Sequence, residues 1–212
     1  MPEYQLYCFA QSGNSYKAAL MLALIGARWK PIHVDFFQGE TRSAQYRQNV
    51  NEMGEVPVLV EGARKLSQSG AILTHLSQQS GRFGSDGADA RLDILRWILF
   101  DNHKFTSYLA TYRFLLTFAK TGDPAVMEFL KGRIASALGI VAKHLSTQEF
   151  MAGAEPTIAD LSLCGYLFWP DEIAVDWAAY PGIKNWLARI QQEPRWVHPY
   201  KLMPGHPVPP AT

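Results

Sequence analysis

The segment Gly54–Leu73, GEVPVLVEGARKLSQSGAIL, constrains the fold more than any other part of the sequence. Two short β-rich stretches meet at Gly62, which predicts two strands joined by a tight turn. The polar pair Gln68-Ser69 follows the second strand directly and opens an amphipathic helical pattern. The first strand starts with a Val-Pro pair, and proline at a strand start ordinarily indicates an edge strand.

The first 80 residues alternate between strand and helix patterns. A strand pattern at Tyr4–Ala10 precedes a helix that is apolar nearly all round and ends at Gly26. The next strand, WKPIHVDF, contains Pro31, which suggests an edge or a bulge. A polar, weakly helical stretch then leads to the strand pair. The order β-α-β-α-β-β-α predicts an α/β domain with a short mixed sheet over residues 1–80.

The pattern changes after residues 81–89, a glycine- and aspartate-rich segment that is typical of a linker. Residues 90–212 show long helical periodicities and a proline-rich tail, which predicts an all-helical bundle domain. One local signal is sharp: in PTIADLSL, Thr157 at the N-cap and Asp160 at the third helical position form a capping box. The expected fold class is therefore α/β plus all-α.

Charge and composition exclude several classes of function. Twenty Lys and Arg residues against 19 Asp and Glu give a net charge of +1 without a basic cluster, so we expect no nucleic acid partner. The longest apolar run, Ala18–Ala27, is too short for a membrane span, and the first residues lack the pattern of a signal peptide. Two isolated cysteines without a CxxC pair are typical of a reducing cytoplasm. The histidine spacing predicts no metal site.

Taken in order, these motifs resemble the cytosolic glutathione transferase family over essentially the whole chain. The resemblance rests on SGNSYKAALML, GETRSAQYRQNVNEMGEVPVL and QSGAILTHL in the first half, and on TIADLSL and YPGIKNWLARIQQEPRW in the second. It implies a thioredoxin-like N-terminal domain, a C-terminal helical bundle domain and a two-fold homodimer. It also implies a cytoplasmic detoxification enzyme similar to bacterial, serine-type members.

The resemblance implies a glutathione site built from three segments. Pro57 is expected to follow a cis peptide bond, which turns the Val56 N–H and C=O toward the cysteinyl backbone of glutathione. Gln68 and Ser69 stand where the family holds the γ-glutamyl end, and a helix start suits a carboxylate. Arg42 is the candidate clamp for the glycyl carboxylate. Simpler interpretations stay open: an edge-strand proline, a helix-capping serine and a solvated arginine.

Catalysis in this family requires the thiolate of glutathione. A free thiol of this kind has a pKa of ~8.5, so only a small fraction is ionised at neutral pH. In the turn QSGNS, Ser12 aligns with the catalytic serine of serine-type relatives, and Asn14 with the cysteine of another bacterial class. Both are candidate catalytic residues, whereas Ser15 is expected to be the helix N-cap. Tyr7 is a minor candidate, and Cys8, within the strand, is expected to serve packing.

The expected substrates are glutathione and a small apolar electrophile or peroxide. The electrophile pocket is expected between the domains, although its aromatic candidates equally fit a helix core. They are Phe105, Tyr108, Tyr112 and Trp169, with Met203 from the tail. No cofactor is expected besides glutathione as co-substrate. A non-catalytic binding or scaffold protein, and a glutathione-dependent isomerase or reductase, are the alternatives.

Overall fold

The computed structural model describes residues 3–207, which form two compact units. The first unit contains residues 3–82 together with residues 193–207, and the second contains residues 83–192. The C-terminal part differs from the predicted domain boundaries, which assigned residues 90–212 to the helical half. The chain returns to the first unit because its last described residues hydrogen-bond to the turn after the first strand, where the Ala10 N–H donates to the Pro204 carbonyl at 2.7 Å.

The first unit is a thioredoxin-like α/β domain, as predicted. Its elements are β1 (Glu3–Cys8), α1 (Gly13–Leu24), β2 (Arg28–His33), a 3₁₀ turn (Glu40–Arg42), α2 (Ala44–Asn49), β3 (Val58–Glu61), β4 (Arg64–Ser67), α3 (Ser69–Ser80) and, after the second unit, α10 (Pro199–Leu202). The sheet order is β2-β1-β3-β4, with β1 parallel to β2 and the other pairs antiparallel. Pro31 lies in β2, an edge strand that pairs only with β1. A proline, which has no N–H to donate, is tolerated at such an edge.

The core of this unit follows from two periodicities. Along β1 every second side chain is buried, so Tyr4, Leu6 and Cys8 face inward. Helix α1 is buried on nearly all sides, as its apolar sequence predicts, and it packs against α3. These contacts fix the start of α1 beside the start of α3, and both helix starts carry residues of the predicted site.

The second unit is a helical bundle. Its elements are α4 (Ala88–Phe100), α5 (Thr106–Arg113), α6 (Pro124–Leu145), α7 (Ile158–Leu163), α8 (Pro170–Ile173) and α9 (Pro181–Gln191). The helix predicted from Arg91 to about Lys120 is one helical run interrupted by π-helical turns at Asp101–Phe105 and Phe114–Ala119. Within residues 3–207, no helix combines the length and the apolarity that crossing a membrane requires.

The predicted capping box organises the centre of the second unit. Thr157 is the N-cap of α7, and the Asp160 carboxylate accepts from the Thr157 N–H at 2.8 Å and its hydroxyl at 3.0 Å. The same carboxylate accepts from the Met151 N–H and the Trp186 indole N–H, each at 2.8 Å. Burial raises the pKa of the Asp160 carboxyl, although these hydrogen bonds oppose the shift. One buried side chain therefore joins α7, the preceding loop and α9.

Candidate functional site

The turn between β1 and α1 presents Ser12 at the start of a buried helix. The Ser12 N–H donates to the Phe9 carbonyl at 3.1 Å, which closes a β-turn, and the Ser12 hydroxyl accepts from the Ser15 N–H at 3.1 Å. Ser12 is thus the N-cap of α1. The expectation that Ser15 caps the helix was wrong, because the helix already begins at Gly13. A hydroxyl can accept and donate at once, and no described residue accepts the Ser12 proton.

Asn14 and Ser69 connect the starts of α1 and α3. The Ser69 hydroxyl donates to Asn14 Oδ1 at 3.5 Å, across 55 positions of sequence. Because Oδ1 faces Ser69, the Asn14 amide N–H₂ is left without an acceptor among residues 3–207. Two residues that the sequence predicted from separate motifs therefore lie side by side, with hydrogen-bond donors uncommitted on both Ser12 and Asn14.

The start of α3 is an uncapped helix N-terminus. Gln68 occupies the N-cap position without a capping hydrogen bond, and Ser69 is the first helical residue rather than the cap. The first intrahelical bond runs from the Ile72 N–H to the Gln68 carbonyl at 3.0 Å. The N–H groups of Ser69, Gly70 and Ala71 are therefore open within the described chain, at the positive end of the helix dipole.

The backbone of Gln68 has φ 69° and ψ 114°, a conformation that residues other than glycine rarely adopt. Its side-chain amide donates to Glu55 Oε2 at 3.0 Å, which ties the start of α3 to the loop before β3. A strained non-glycine residue that keeps a tertiary hydrogen bond at a helix start is typical of a functional position. The sequence pattern showed Gln68 as a polar residue and did not show its backbone conformation.

The loop before β3 offers an open stretch of main chain. The Val56–Pro57 peptide bond is cis, with Pro57 buried and Val56 partly exposed. The Glu55 carbonyl accepts from the Tyr46 hydroxyl and the Asn51 amide, each at 3.0 Å, which fixes the loop just before this bond. The Val56 N–H and C=O have no hydrogen-bond partner within residues 3–207. An extended peptide can therefore pair with Val56 as an added strand would.

Arg42 stands apart from these groups. It is exposed at the end of the 3₁₀ turn, and its guanidinium lies over Gly39, which has φ 82°. No hydrogen bond in the described chain joins Arg42 to Gln68, Ser69 or Val56. Its predicted role at the glycyl carboxylate stays a prediction.

The aromatic candidates for the electrophile pocket are distributed over both units. Phe105, Tyr112 and Trp169 are buried in the second unit, whereas Met203 is buried in the first. Tyr108 is partly exposed and meets Phe129 edge-on, with ring centroids 6.5 Å apart. The assignment of this pocket stays a prediction.

Trp169 is held in place by a buried cation. The Arg113 guanidinium lies 3.7 Å from the centre of the Trp169 ring and donates to Glu172 Oε2 at 2.9 and 2.6 Å. Two N–H groups of the guanidinium share this one carboxylate oxygen, and the charge-assisted pair holds the guanidinium over the ring. Aromatic periodicity along the sequence gave no sign of this arginine.

Cys8 has the environment of a packing residue, as predicted. Its thiol is 0% exposed on the inner face of β1, and burial raises its pKa to about 12. Cys164 is also buried. A nucleophilic cysteine requires a lowered pKa and access to substrate, and Cys8 has neither.

We therefore expect neither cysteine to react with 5,5′-dithiobis(2-nitrobenzoate) in the native protein at pH 8. Both thiols of the chain should titrate after unfolding in guanidinium chloride, because burial and not oxidation protects them. The release of the coloured thiolate at 412 nm measures this directly. A thiol that reacts within seconds in the native protein would contradict the burial of these two cysteines.

Comparisons with known proteins give matches in both units of the chain. The family model of the glutathione S-transferase N-terminal domain matches residues 2–78, and that of the C-terminal domain matches residues 124–189. A crystal structure of a glutathione S-transferase from Pseudomonas fluorescens is 32% identical, with a TM-score of 0.86 over 92% of this chain and 97% of that one. A glutathione S-transferase of Arabidopsis thaliana is 27% identical over 91% of this chain and 81% of its own. The disulfide-bond oxidoreductase YfcG of Escherichia coli is 24% identical over 88% and 89%.

Proposed function

We propose that the protein, which belongs to the glutathione S-transferase family, binds glutathione along its first unit and ionises the thiol for attack on small apolar electrophiles. The observation that carries the proposal is the uncommitted hydroxyl proton of Ser12 beside the Ser69–Asn14 pair. These groups supply a donor for sulfur and a donor set for a carboxylate at adjacent helix starts.

Each part of the tripeptide has a chemically matched partner. The γ-glutamyl carboxylate binds the open N–H groups and hydroxyl at the start of α3, where Ser69 is the first residue. The γ-glutamyl ammonium lies toward the exposed Glu55 carboxylate, which Gln68 holds at 3.0 Å. The cysteinyl backbone pairs with the free N–H and C=O of Val56. Arg42 is the cation available to the glycyl carboxylate.

Ionisation of the thiol follows from the placement of Ser12 at a helix start. When glutathione binds, its sulfur accepts the Ser12 hydroxyl proton in a hydrogen bond, and the thiol proton leaves to solvent. A charge-assisted hydrogen bond contributes ~1.5–3 kcal/mol, and the α1 dipole adds ~0.3–1 kcal/mol. Lowering the thiol pKa by about two units requires about 2.7 kcal/mol, so these groups suffice. The thiolate then forms a C–S bond with the electrophilic carbon while the leaving group departs with its electron pair.

The direct test uses purified protein, glutathione and 1-chloro-2,4-dinitrobenzene. We expect saturable binding of glutathione by calorimetry and enzyme-dependent formation of the dinitrophenyl conjugate at 340 nm. S-methylglutathione is the matched control, because it retains the binding groups and lacks an ionisable thiol; it should bind without forming the conjugate. Absence of glutathione binding would refute the proposal. Binding with an unshifted thiol pKa would instead favour the scaffold alternative.

A second candidate function is the reduction of disulfides by glutathione. One observation favours it: the match to YfcG, which is named a disulfide-bond oxidoreductase. In this reaction the thiolate attacks one sulfur of RSSR and releases RS⁻. A second glutathione then reduces the mixed disulfide to oxidised glutathione and RSH. Turnover of bis(2-hydroxyethyl) disulfide that exceeds conjugation would favour this function.

The proposal includes a two-fold homodimer. On α4, Leu92, Leu95 and Leu99 are 62%, 47% and 59% exposed, and their spacing puts them on one helix face. An apolar stripe of this length on an isolated chain favours association with a second copy.

We expect Leu95→Glu to convert a dimer to a monomer, because it places a charge at the centre of this stripe. Sedimentation velocity measures the mass. Lys184→Glu on α9, an exposed position in the same unit, is the matched control and should leave the dimer intact. A wild-type monomer at micromolar concentration would contradict the homodimer.

A further inference from the structure

The last described residues of the chain lie against the turn that carries Ser12. We call residues 203–207 the C-terminal strap. Two hydrogen bonds join it to the turn: the Ala10 N–H donates to the Pro204 carbonyl at 2.7 Å, and the Gln11 side-chain amide donates to the Gly205 carbonyl at 2.7 Å. Ala10 and Gln11 are the two central residues of the β-turn from Phe9 to Ser12. The strap therefore bonds to both residues that set the geometry of this turn.

The donor side of these contacts is shielded from water, whereas Pro204 and Gly205 are partly exposed. Ala10, Gln11 and Met203 are all buried, as is Ser12 itself. Water cannot easily replace a hydrogen bond lost at such a position, so the turn depends on the strap for its buried donors. The segment that precedes the strap is also held against the first unit, because the Tyr16 hydroxyl on α1 donates to the Val197 carbonyl at 3.0 Å.

Gly205 has a backbone conformation that favours glycine, and it lies close to its neighbours. Its φ is +93°, and a Cβ at this position would lie 2.7 Å from His33 Nε2 and 3.8 Å from the Phe9 Cβ. The strap thus passes between β2 and the start of the turn at van der Waals distance. Beyond Gly205, the His206 ring stacks on Tyr200 with centroids 3.6 Å apart. Contacts on both sides of Gly205 hold the carbonyl that accepts from Gln11.

We propose that the C-terminal strap is a positioning element of the catalytic site, in which Gln11 and Gly205 hold the Ser12 hydroxyl in the orientation that donates to the sulfur of glutathione. This inference rests on the proposed function. A hydrogen bond to sulfur weakens steeply with misalignment, so a small rotation of the turn reduces thiolate stabilisation without removing any binding group. Gln11 and the strap act through Ser12 and are positioning residues.

The test measures the pKa of bound glutathione from thiolate absorbance at 240 nm across pH. Gln11→Met keeps the side-chain length and removes the donor, and Gly205→Ala pushes the strap away from His33. We expect each variant to raise the bound thiol pKa by about one unit, which is a tenfold loss of thiolate at pH values well below the wild-type thiol pKa. We expect the glutathione Kd at pH 6, where most of the bound thiol is protonated in each protein, to change less than about twofold, because the groups that bind the peptide are untouched.

Gly62→Ala is the matched control for the backbone strain of Gly205→Ala. Gly62 has φ +58° in the β3–β4 turn, and a Cβ there meets nothing within 4 Å. This variant should leave the bound thiol pKa at the wild-type value. If Gly205→Ala does not fold, Gln11→Met decides the question, since it removes the side-chain donor to the Gly205 carbonyl and leaves the sequence of the strap unchanged.

The outcomes separate the strap from the proposed function. A lowered thiol pKa in wild type that stays equally low in Gln11→Met overturns the positioning role and leaves the transferase site intact. An unshifted thiol pKa in wild type overturns both proposals. Hydrogen exchange adds a structural readout without glutathione: the Ser12 amide should exchange faster in Gln11→Met, and unchanged protection would also overturn the positioning role.

Discussion

Replacing Asp160 by alanine is expected to lower the free energy of unfolding by about 3–5 kcal/mol. The carboxylate accepts four hydrogen bonds. Two come from the N–H and the hydroxyl of Thr157, one from the Met151 N–H and one from the Trp186 indole N–H. Alanine leaves these donors buried and unpaired, at a cost of about 1 kcal/mol or more each. The loss also opens a small cavity beneath α7.

Equilibrium unfolding in urea measures this loss. The matched control is Asp123→Ala, since Asp123 is also an aspartate at a helix N-cap and accepts from the Ala125 and Val126 N–H groups at 2.9 and 3.2 Å. Asp123 is exposed, so water replaces the lost bonds and the cost should be about 1 kcal/mol. Equal losses in the two variants would contradict the structural role given to the buried carboxylate.

Replacing Ser12 by alanine should reduce the conjugation rate about 10- to 100-fold at pH 6.5, with little change in glutathione affinity. The hydroxyl contributes ~1.5–3 kcal/mol to the ionised thiol, and each 1.4 kcal/mol is a factor of ten. Without it, the bound thiol pKa returns toward ~8.5. The loss is therefore largest below that pH and shrinks as pH rises and the thiol ionises unaided. The pH profile of kcat/KM measures both features.

Two variants are controls for Ser12→Ala. Ser12→Thr keeps both the hydroxyl and the N-cap acceptor and should retain most of the activity. Ser15→Ala removes a hydroxyl three residues further on, which is buried without a hydrogen-bond partner in the described chain, and should change little. A large loss in Asn14→Ala with full activity in Ser12→Ala would transfer the catalytic role to the Asn14 amide.

Features encoded by neighbouring residues could be predicted from the sequence. The capping box needs only Thr157 and Asp160, three positions apart. Pro31 predicted either an edge or a bulge, and β2 lies at the edge of the sheet. The N-cap of α1 was misassigned by one turn, because Ser12 and Ser15 are both good caps and the choice depends on whether Gly13 joins the helix. Serine spacing alone carries no information on that choice.

Features that depend on distant contacts could not be predicted. The bond between Gln11 and Gly205 spans 194 positions, and no periodicity relates the two segments, so the tail was assigned to the helical half. The positive φ of Gln68 could not be predicted either, because local preference favours glycine in that conformation. In the structure, Gln68 also forms a tertiary hydrogen bond to Glu55, which the sequence does not show. The π-helical turn at Asp101–Phe105 contains neither proline nor glycine, the residues that mark a break in a helix, so it left no local signal.

A crystal structure of the protein with bound glutathione would show which group contacts the sulfur. We expect the sulfur within hydrogen-bonding distance of Ser12 Oγ, the cysteinyl backbone paired with the Val56 N–H and C=O, and the γ-glutamyl carboxylate on the N–H groups at the start of α3. A glutathione molecule bound elsewhere, or bound there with its sulfur turned away from Ser12, would contradict this expectation.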